Sequence, residues 1–396
     1  MFLPYQRKKT KYKKHTTMDA PPKKKVLIVT DTYYPKIDGV MRFLSETIPR
    51  IQSDFDLSLL VPDFKHPEEY FSNIPKTKLK VSRIISLSGY APIRMSLSNM
   101  KKIRTAVKEA DTIFIQGPAH ASIIALYYGH KYKKRVIFFT HHILWELYEK
   151  FVPLWMRPIV KPILKRLTIG WYNKCNLLVV PYKDFAQELT NIGVKTEITI
   201  ARLGVDTNSF VPIEHKSDAK LKINIDPYAT VIGYVGRISN EKNLTVLIEA
   251  FQRVHAKYKC SLLIVGSGTK DMINQFKHMP GIMMAGFQAH VIPYFQAMDI
   301  FVMPSLTETT SLATLEAMAC GVPVITTRVG FIKQYVRKDY NGLLFPKGNT
   351  ATLVLQLEKL LSSPDKRKVL SNNARGTAMI FSWDATAERL REILNQ

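Results

Sequence analysis

Glu308 and Glu316 stand eight positions apart in PSLTETTSLATLEAMACGVPVI (304–325). Glu308 falls in a Ser/Thr-rich loop behind a strand-like run, and Glu316 falls on the helix that follows. Thr309, Thr310 and Ser311 bring backbone N–H groups and hydroxyls to the start of that helix. Such a helix start attracts anions, and carboxylates beside it suit sugar hydroxyls. The plainer reading makes Glu308 a helix cap and Glu316 a surface charge. Against it, Glu316 is followed by the apolar run AMACGVPV, where a carboxylate needs a partner.

Three further groups carry chemistry. Arg237 and Lys242, in GRISNEKNLTVLIEAF (236–251), follow a strand-like run and flank a helix start. Two cations there suit a diphosphate; exposed loop charges are the plainer alternative. Gly39, in DTYYPKIDGV, is compatible with an ordinary turn or with close approach of backbone to a phosphate. His141 and His142 end the run RVIFFT (135–140), where α/β proteins form sites. Each suits acid/base work, phosphate orientation or a structural hydrogen bond. No His/Asp cluster with metal spacing accompanies them, so no metal site is expected.

The elements that must hold these residues alternate. Apolar runs at 26–29, 57–62, 112–116, 135–140 and 177–181 read as buried parallel strands, with helical patterns at 97–110 and 184–193 between them. The pattern restarts with runs in 229–238, 261–268, 281–286, 299–305 and 323–330. An α/β fold of two Rossmann-like domains facing each other across a cleft accounts for this. The expected division is a basic disordered tail (1–24), an N-terminal acceptor and membrane domain (25–200) and a nucleotide-binding domain (201–380). A C-terminal helix (381–396) is expected to return to the first domain. The length of 396 residues and an apolar fraction of 46% are ordinary for such a chain. Three separated cysteines offer neither a disulfide framework nor a zinc site, which points to a reducing, cytoplasmic setting.

Charge is the outlying property. The net charge is +25, and residues 1–25 alone hold nine Lys/Arg against one acid. Such an excess calls for an anionic partner. No RRM, zinc-finger or helix-turn-helix signature is present, so a specific nucleic-acid role is not expected, although a basic nucleic-acid-binding protein is the alternative class. Two stretches, 70–108 and 151–175, contain no Asp or Glu. The second joins Arg157, Lys161, Lys165 and Arg166 to Phe151, Trp155, Ile159, Ile163 and Trp171. Cations interleaved with aromatic and apolar groups suit an anionic membrane surface; a buried helix with solvated lysines is the plainer reading.

Glu308 and Glu316 in TETTSLATLEAMACGVPV, with GRISNEKNL, LLIVGSG and LGVDTNSFVP in the same order along the chain, resemble the family 4 retaining glycosyltransferases of the GT-B fold. The resemblance runs from about Val26 to the C-terminus. It implies transfer of a hexose from a UDP- or GDP-sugar, with no metal or other cofactor. It further implies that Arg237 and Lys242 grip the donor diphosphate and that Glu316 holds the ribose. Glu308 and His142 would meet the donor sugar, Thr310, Ser311 and Leu312 would bind donor oxygens, and Gly39 would close on the diphosphate. The segment 151–175 resembles the membrane-binding part of diacylglycerol and phosphatidylinositol glycosyltransferases. That implies a lipid acceptor and peripheral attachment to the cytoplasmic face of a membrane; a soluble saccharide or protein-glycan acceptor is the alternative. Two departures stand out. Phe331, Ile332, Lys333 and Gln334 replace the usual Gly-Ile-Pro-Glu, and Gln116 stands where the family often has His.

Overall fold

The computed structural model describes residues 22–35, 38–65, 70–82, 91–117, 119–141 and 152–396. Most of the expected basic tail, Phe151 and His142 lie outside them.

Runs of Val, Ile and Leu become strands buried on both faces. In β1 (Lys25–Thr30), Val26 and Ile28 enter one core while Leu27 and Val29 enter the other. The first sheet continues with β2 (Asp56–Asp63), β3 (Lys76–Lys80), β4 (Thr112–Gln116), β5 (Arg135–Phe139), β6 (Leu177–Val180) and β7 (Ile198–Ile200). Its order is β3-β2-β1-β4-β5-β6-β7, all parallel. The second sheet holds β8 (Thr230–Val235), β9 (Cys260–Val265), β10 (Ile282–Gly286), β11 (Ile300–Met303), β12 (Val324–Thr327) and β13 (Gly342–Phe345). Its order is β10-β9-β8-β11-β12-β13, again parallel. Strand order therefore reverses between β1 and β4 and between β8 and β11. At such switch points, crevices open beyond the carboxyl ends of the strands.

The helices that matter for the site are α1 (Gly39–Ile51), α2 (Leu97–Glu109), α3 (His120–Lys131), α4 (Arg157–Tyr172), α5 (Leu244–His255), α6 (Leu312–Ala319), α7 (Pro364–Met379) and α8 (Trp383–Asn395). Helix α1 starts at Asp38, whose carboxylate accepts from the Met41 amide at 2.9 Å. Helix α8 lies on the N-terminal domain, where Trp383, Leu390, Ile393 and Leu394 share a core with Phe43, Leu44, Ile48 and Ile51 of α1. The return crossing at Phe381–Trp383 runs beside the outgoing one at Leu203–Val205. The Val205 amide donates to the Phe381 carbonyl at 2.8 Å, and Ser382 bridges to Val205. A Cβ on Gly204 would sit 2.5 Å from the Ser382 carbonyl carbon.

Strand β3, KTKLK, was not among the expected strands. Only its Leu79 is buried, and it forms a sheet edge, where lysines discourage pairing with other chains. It occupies part of the acid-free stretch 70–108. The Lys76 ammonium there donates to the Phe71 carbonyl and that of Lys102 to the Lys78 carbonyl. Some of that charge therefore serves the local fold. The short strands β7 and β13 were also unanticipated.

Candidate active site

The carboxyl ends of β8 and β11 place the cationic and acidic blocks side by side. After β8 the chain turns through Arg237, whose backbone carbonyl accepts from the buried Tyr234 hydroxyl at 2.8 Å. Lys242 closes a short 3-10 turn, and Asn243 then adopts a left-handed conformation (φ 52°) to start α5 without a side-chain cap. After β11 the chain runs through Ser305 and Glu308 to Ser311, also left-handed (φ 59°) and also without a cap, where α6 begins. Two uncapped helix starts, carrying partial positive charge, thus lie at the ends of neighbouring strands.

Lys242 and Glu308 meet directly. The Lys242 ammonium donates to Glu308 Oε1 at 2.5 Å, and the Ser305 hydroxyl donates to the same oxygen at 2.8 Å. Only 8% of the Glu308 side chain is exposed. Glu308 does not cap α6, so that plainer reading is set aside. Its loop is braced from behind. The Tyr335 hydroxyl donates to the Thr310 carbonyl at 2.8 Å, the Phe331 amide to the Thr309 carbonyl at 2.7 Å and the Thr327 hydroxyl to the Ser305 carbonyl at 2.6 Å. Gly330 is left-handed (φ +49°), and a Cβ there would lie 1.9 Å from the Glu308 carbonyl oxygen. Only glycine lets the backbone pass so close.

Arg237 is different. Its side chain is 71% exposed and bridges to Glu241 at 2.8 Å, one turn on, so it stands at the rim of the arrangement. Thr310 is buried, and its hydroxyl has no hydrogen-bond partner. The Ser311 hydroxyl pairs with Thr314 at 2.7 Å, and Leu312 packs against the N-terminal core.

Glu316 is no surface charge either. Its side chain keeps 13% exposure, and burial pushes its pKa up to about 7, opposed by Arg42 and reinforced by Glu46. Arg42 comes from α1 across the cleft and stops 3.6 Å from the Glu316 carboxylate. It also bridges Glu46 at 3.2 Å, and its Nε is buried with no partner. Sequence reading missed Arg42, because nothing local marks a residue whose partner lies 274 positions away. Gly39 is the first residue of α1, with an ordinary φ and open space where a Cβ would be. Backbone geometry does not demand glycine there.

The first sheet adds His141 and Gln116. His141 is buried, stacked on Phe139 at 4.4 Å and 3.0 Å from Gln116 Oε1 through Nε2. It is built into the core, while the Gln116 side-chain nitrogen is buried without a partner at the β4 end. Asp31, unremarked in the sequence, takes both the Ala121 and Ser122 amides (2.8 and 3.1 Å) at the start of α3. Among the described residues, no group of three or more His, Cys, Asp or Glu is placed to hold a metal ion.

The residues that depart from the family pattern are used between domains. Phe331 stacks on Tyr182 with ring centroids 5.6 Å apart and planes at 16°. Gln334 and Lys333 both reach Asp184, at 2.9 and 2.5 Å.

Helix α4 presents Ile159, Ile163 and Leu167 to solvent, and the 3-10 turn Leu154–Met156 before it presents Leu154 and Trp155; Trp155 is 76% exposed and Ile159 65%. Positions 159, 163 and 167 recur every fourth residue of α4 and so share one face. Arg157, Lys161, Lys165 and Arg166 lie along the same helix. Trp171 corrects the sequence reading: it packs against the N-terminal core and is not part of the exposed stripe. Among the described residues, no helix is long and apolar enough to cross a membrane.

Comparison with known proteins bears on this geometry. Residues 37–209 match the model for Glycosyltransferase Family 4, and residues 216–377 the model for Glycosyl transferases group 1. The chain is 24% identical over 394 residues to alpha-monoglucosyldiacylglycerol synthase of Acholeplasma laidlawii, covering 91% of this chain and 94% of that one. It is 27% identical over 242 residues to sulfoquinovosyl transferase SQD2 of Arabidopsis thaliana, covering 59% and 47%. A D-inositol 3-phosphate glycosyltransferase of Actinosynnema mirum is 28% identical over 49% of this chain and 50% of that protein. The chain thus spans about half the length of the second and third relatives. Among solved structures, sucrose-phosphate synthase from Thermosynechococcus elongatus superposes with a TM-score of 0.76 at 17% identity, covering 94% of this chain and 98% of that one. Anabaena Alr3699/HepE in complex with UDP and glucose does so at 0.75 and 16%, covering 94% and 99%. Both family models, matched in order across the two domains, and the shared two-sheet architecture place this chain among the family 4 glycosyltransferases of the GT-B fold.

Proposed function

We propose that the chain moves a hexose from a nucleotide diphosphate sugar, with retention of anomeric configuration, to a lipid acceptor at an anionic membrane surface. The observation that carries the lipid reading is the exposed apolar stripe of α4. Monomeric proteins rarely leave such a stripe in water. Here it is accompanied by four cations, with no acid between residues 152 and 175. Each Lys or Arg near an anionic bilayer contributes about 1 kcal/mol, so Arg157, Lys161, Lys165 and Arg166 together suffice for reversible docking. The side chains of Trp155, Ile159 and Ile163 add burial at the interface. The likeness to a glucosyldiacylglycerol synthase over nearly the whole chain supports the same reading.

In the donor site, Lys242 and Arg237 face the leaving diphosphate, and the α5 and α6 helix starts add positive potential. Stabilising charge as it develops on the diphosphate lowers the barrier to breaking its bond to the anomeric carbon. The acceptor oxygen then forms the new bond to that carbon and passes its proton to the departing diphosphate. Glu316 accepts from the ribose hydroxyls, Glu308 holds hydroxyls of the sugar, and the amides of Thr310 to Leu312 take donor oxygens. By the family resemblance His142 would contact the donor sugar, and Gly39 leaves room for the diphosphate. Protein cations do the work of neutralisation, so the reaction proceeds without a metal or other cofactor. The UDP complex of a structural neighbour favours a uridine donor. On this reading the protein is peripheral on the cytoplasmic face of the membrane.

The test is sedimentation with phosphatidylglycerol-rich vesicles. Wild type is expected to bind at low salt and to be released at high salt. Replacing Arg157, Lys161, Lys165 and Arg166 by Glu should abolish sedimentation and leave UDP-sugar binding intact. Full sedimentation of the quadruple variant, or none by the wild type, removes the lipid reading and favours a soluble saccharide acceptor.

A further inference from the structure

A column of aromatic rings crosses from the N-terminal domain to the loop that carries Glu308. Tyr182 follows β6 and directly precedes the helix Lys183–Asn191. It is half-buried and packs against the cores of both domains. On its own side it leans on the buried Phe185, with ring centroids 5.7 Å apart. Across the cleft it stacks on Phe331, at 5.6 Å and 16°. Phe331 is 1% exposed and meets the Tyr335 ring at 5.5 Å with planes at 63°. A glycine at position 331, the residue of the family pattern, would offer Tyr182 no ring.

The far end of the column holds the loop between β11 and α6. The Phe331 amide donates to the Thr309 carbonyl at 2.7 Å. The Tyr335 hydroxyl donates to the Thr310 carbonyl at 2.8 Å and lies 3.3 Å from the Ser311 carbonyl. Three successive carbonyls are thus turned toward Phe331 and Tyr335. In a trans peptide the carbonyl of one residue and the amide of the next point in opposite directions. The amides of Thr310, Ser311 and Leu312 therefore face away from the brace. Asp184 adds contacts to Lys333 and Gln334 beside the stack. The Asp184 and Lys333 side chains are 47% and 36% exposed, so their ion pair contributes little, and the buried stack is the stronger tie.

We propose that Tyr182 is a positioning residue of the transfer reaction: its ring fixes Phe331, and Phe331 with Tyr335 aims the Thr310, Ser311 and Leu312 amides at donor oxygens. The proposal rests on the donor-site reading above and extends it to a residue of the opposite domain. Tyr182 touches no reacting atom and acts only through the rings and the loop. Misaimed amides cost most in the transition state, where charge on the donor oxygens is greatest. The nucleotide is assigned to Glu316 and Lys242, outside this series of contacts. Loss of the Tyr182 ring therefore falls on kcat and spares nucleotide affinity.

The experiment uses the full chain with UDP-glucose and reads release of UDP, once with diacylglycerol in phosphatidylglycerol vesicles as acceptor and once with water alone. Calorimetry measures UDP binding on the same preparations and shows that each variant is folded. Tyr182→Ala is expected to lower kcat about tenfold in both conditions, with KM for UDP-glucose and Kd for UDP within about twofold of wild type. Tyr182→Phe keeps the ring and is expected to keep wild-type kcat. Phe331→Leu is expected to give a similar fall, and Tyr182→Ala/Phe331→Leu to be no slower than the slower single variant, because both changes break one contact. Phe331→Leu against Tyr182→Phe carries the comparison if Tyr182→Ala does not fold. Wild-type kcat in Tyr182→Ala or Phe331→Leu, an equal loss in Tyr182→Phe, or losses that multiply in the double variant overturn the proposal. So does a fall in UDP affinity that matches the fall in kcat. UDP release by the wild type that lipid does not accelerate removes the lipid reading alone, and the Tyr182 comparison stands in water. No release by the wild type in either condition removes the donor-site reading and this proposal with it.

Discussion

Replacing Glu316 by Gln is expected to abolish a dependence of donor affinity on pH that the wild-type protein shows. In the folded chain the Glu316 carboxyl is pushed up to about 7 from a reference value of 4.5, chiefly by burial. Between those values the folded state holds a proton that the unfolded state has released. Glu316 therefore lowers stability as pH rises through this window, by at most about 3 kcal/mol and by less in practice because part of the side chain stays exposed. Donor binding runs the other way. Ribose hydroxyls donate, and they bond more strongly to the carboxylate than to the acid, so binding favours release of the proton. Affinity for UDP-glucose is then expected to rise by about tenfold in all, mostly between pH about 6 and about 7, and to level off above it. In that donor the diphosphate is esterified at both ends, so no phosphate titrates in the same window. Calorimetry in two buffers of different ionisation enthalpy counts the proton released. Glu316→Gln should bind about tenfold more weakly at pH 8 and show no slope. A flat profile in the wild type, or an unchanged slope in the variant, would refute the assignment of Glu316 to the ribose.

Lys242→Ala removes both a leaving-group contact and the partner of a mostly buried carboxylate. Turnover is expected to fall by about 10²–10³, and near-normal initial rates would sink the donor-site assignment. Activity is expected to survive excess EDTA; a strict requirement for added Mg²⁺ or Mn²⁺ would show that Arg237 and Lys242 do not carry the cation role. Gly204→Ala places a methyl group against the Ser382 backbone, and a loss of about 1–3 kcal/mol is expected in urea denaturation. Wild-type stability in that variant would mean that the two crossings separate freely.

The sequence made the parallel architecture readable because most strands are buried on both faces. Runs such as VLIV and LLVV, short and rich in β-branched residues, suit a strand covered on both faces. Strand β3 escaped because an edge strand is allowed its lysines, and KTKLK carries one buried residue in five. Strands β7 and β13, three and four residues long, are too short for periodicity to register. In the candidate site, Glu308 and Glu316 were visible because their spacing lies within one loop and one helix. Lys242 was visible as a cation at a helix start, but its pairing with Glu308 was not. The opposing Arg42 was invisible, since a contact across two domains leaves no local pattern. The departure at Phe331–Gln334 was visible only as a mismatch; the Tyr182 stack and the two contacts to Asp184 give it a structural use.

The paired crossings at Leu203–Val205 and Phe381–Trp383 have a mechanical consequence. Two chain segments bonded side by side resist shear and twist far better than a single linker does, but they still bend about the line that joins them. A rotation of the two domains about that line would disturb the paired crossings least. Contacts on the open side of that axis cannot be released independently. Swinging the domains apart separates Arg42 from Glu316 and Tyr182 from Phe331 in the same movement. The Phe331 amide is bonded to Thr309, and Gly330 lies over the Glu308 carbonyl. The residue that stacks across the cleft is thus tied through two backbone contacts to the loop that carries Glu308, so the interdomain contact and the donor loop share one piece of backbone.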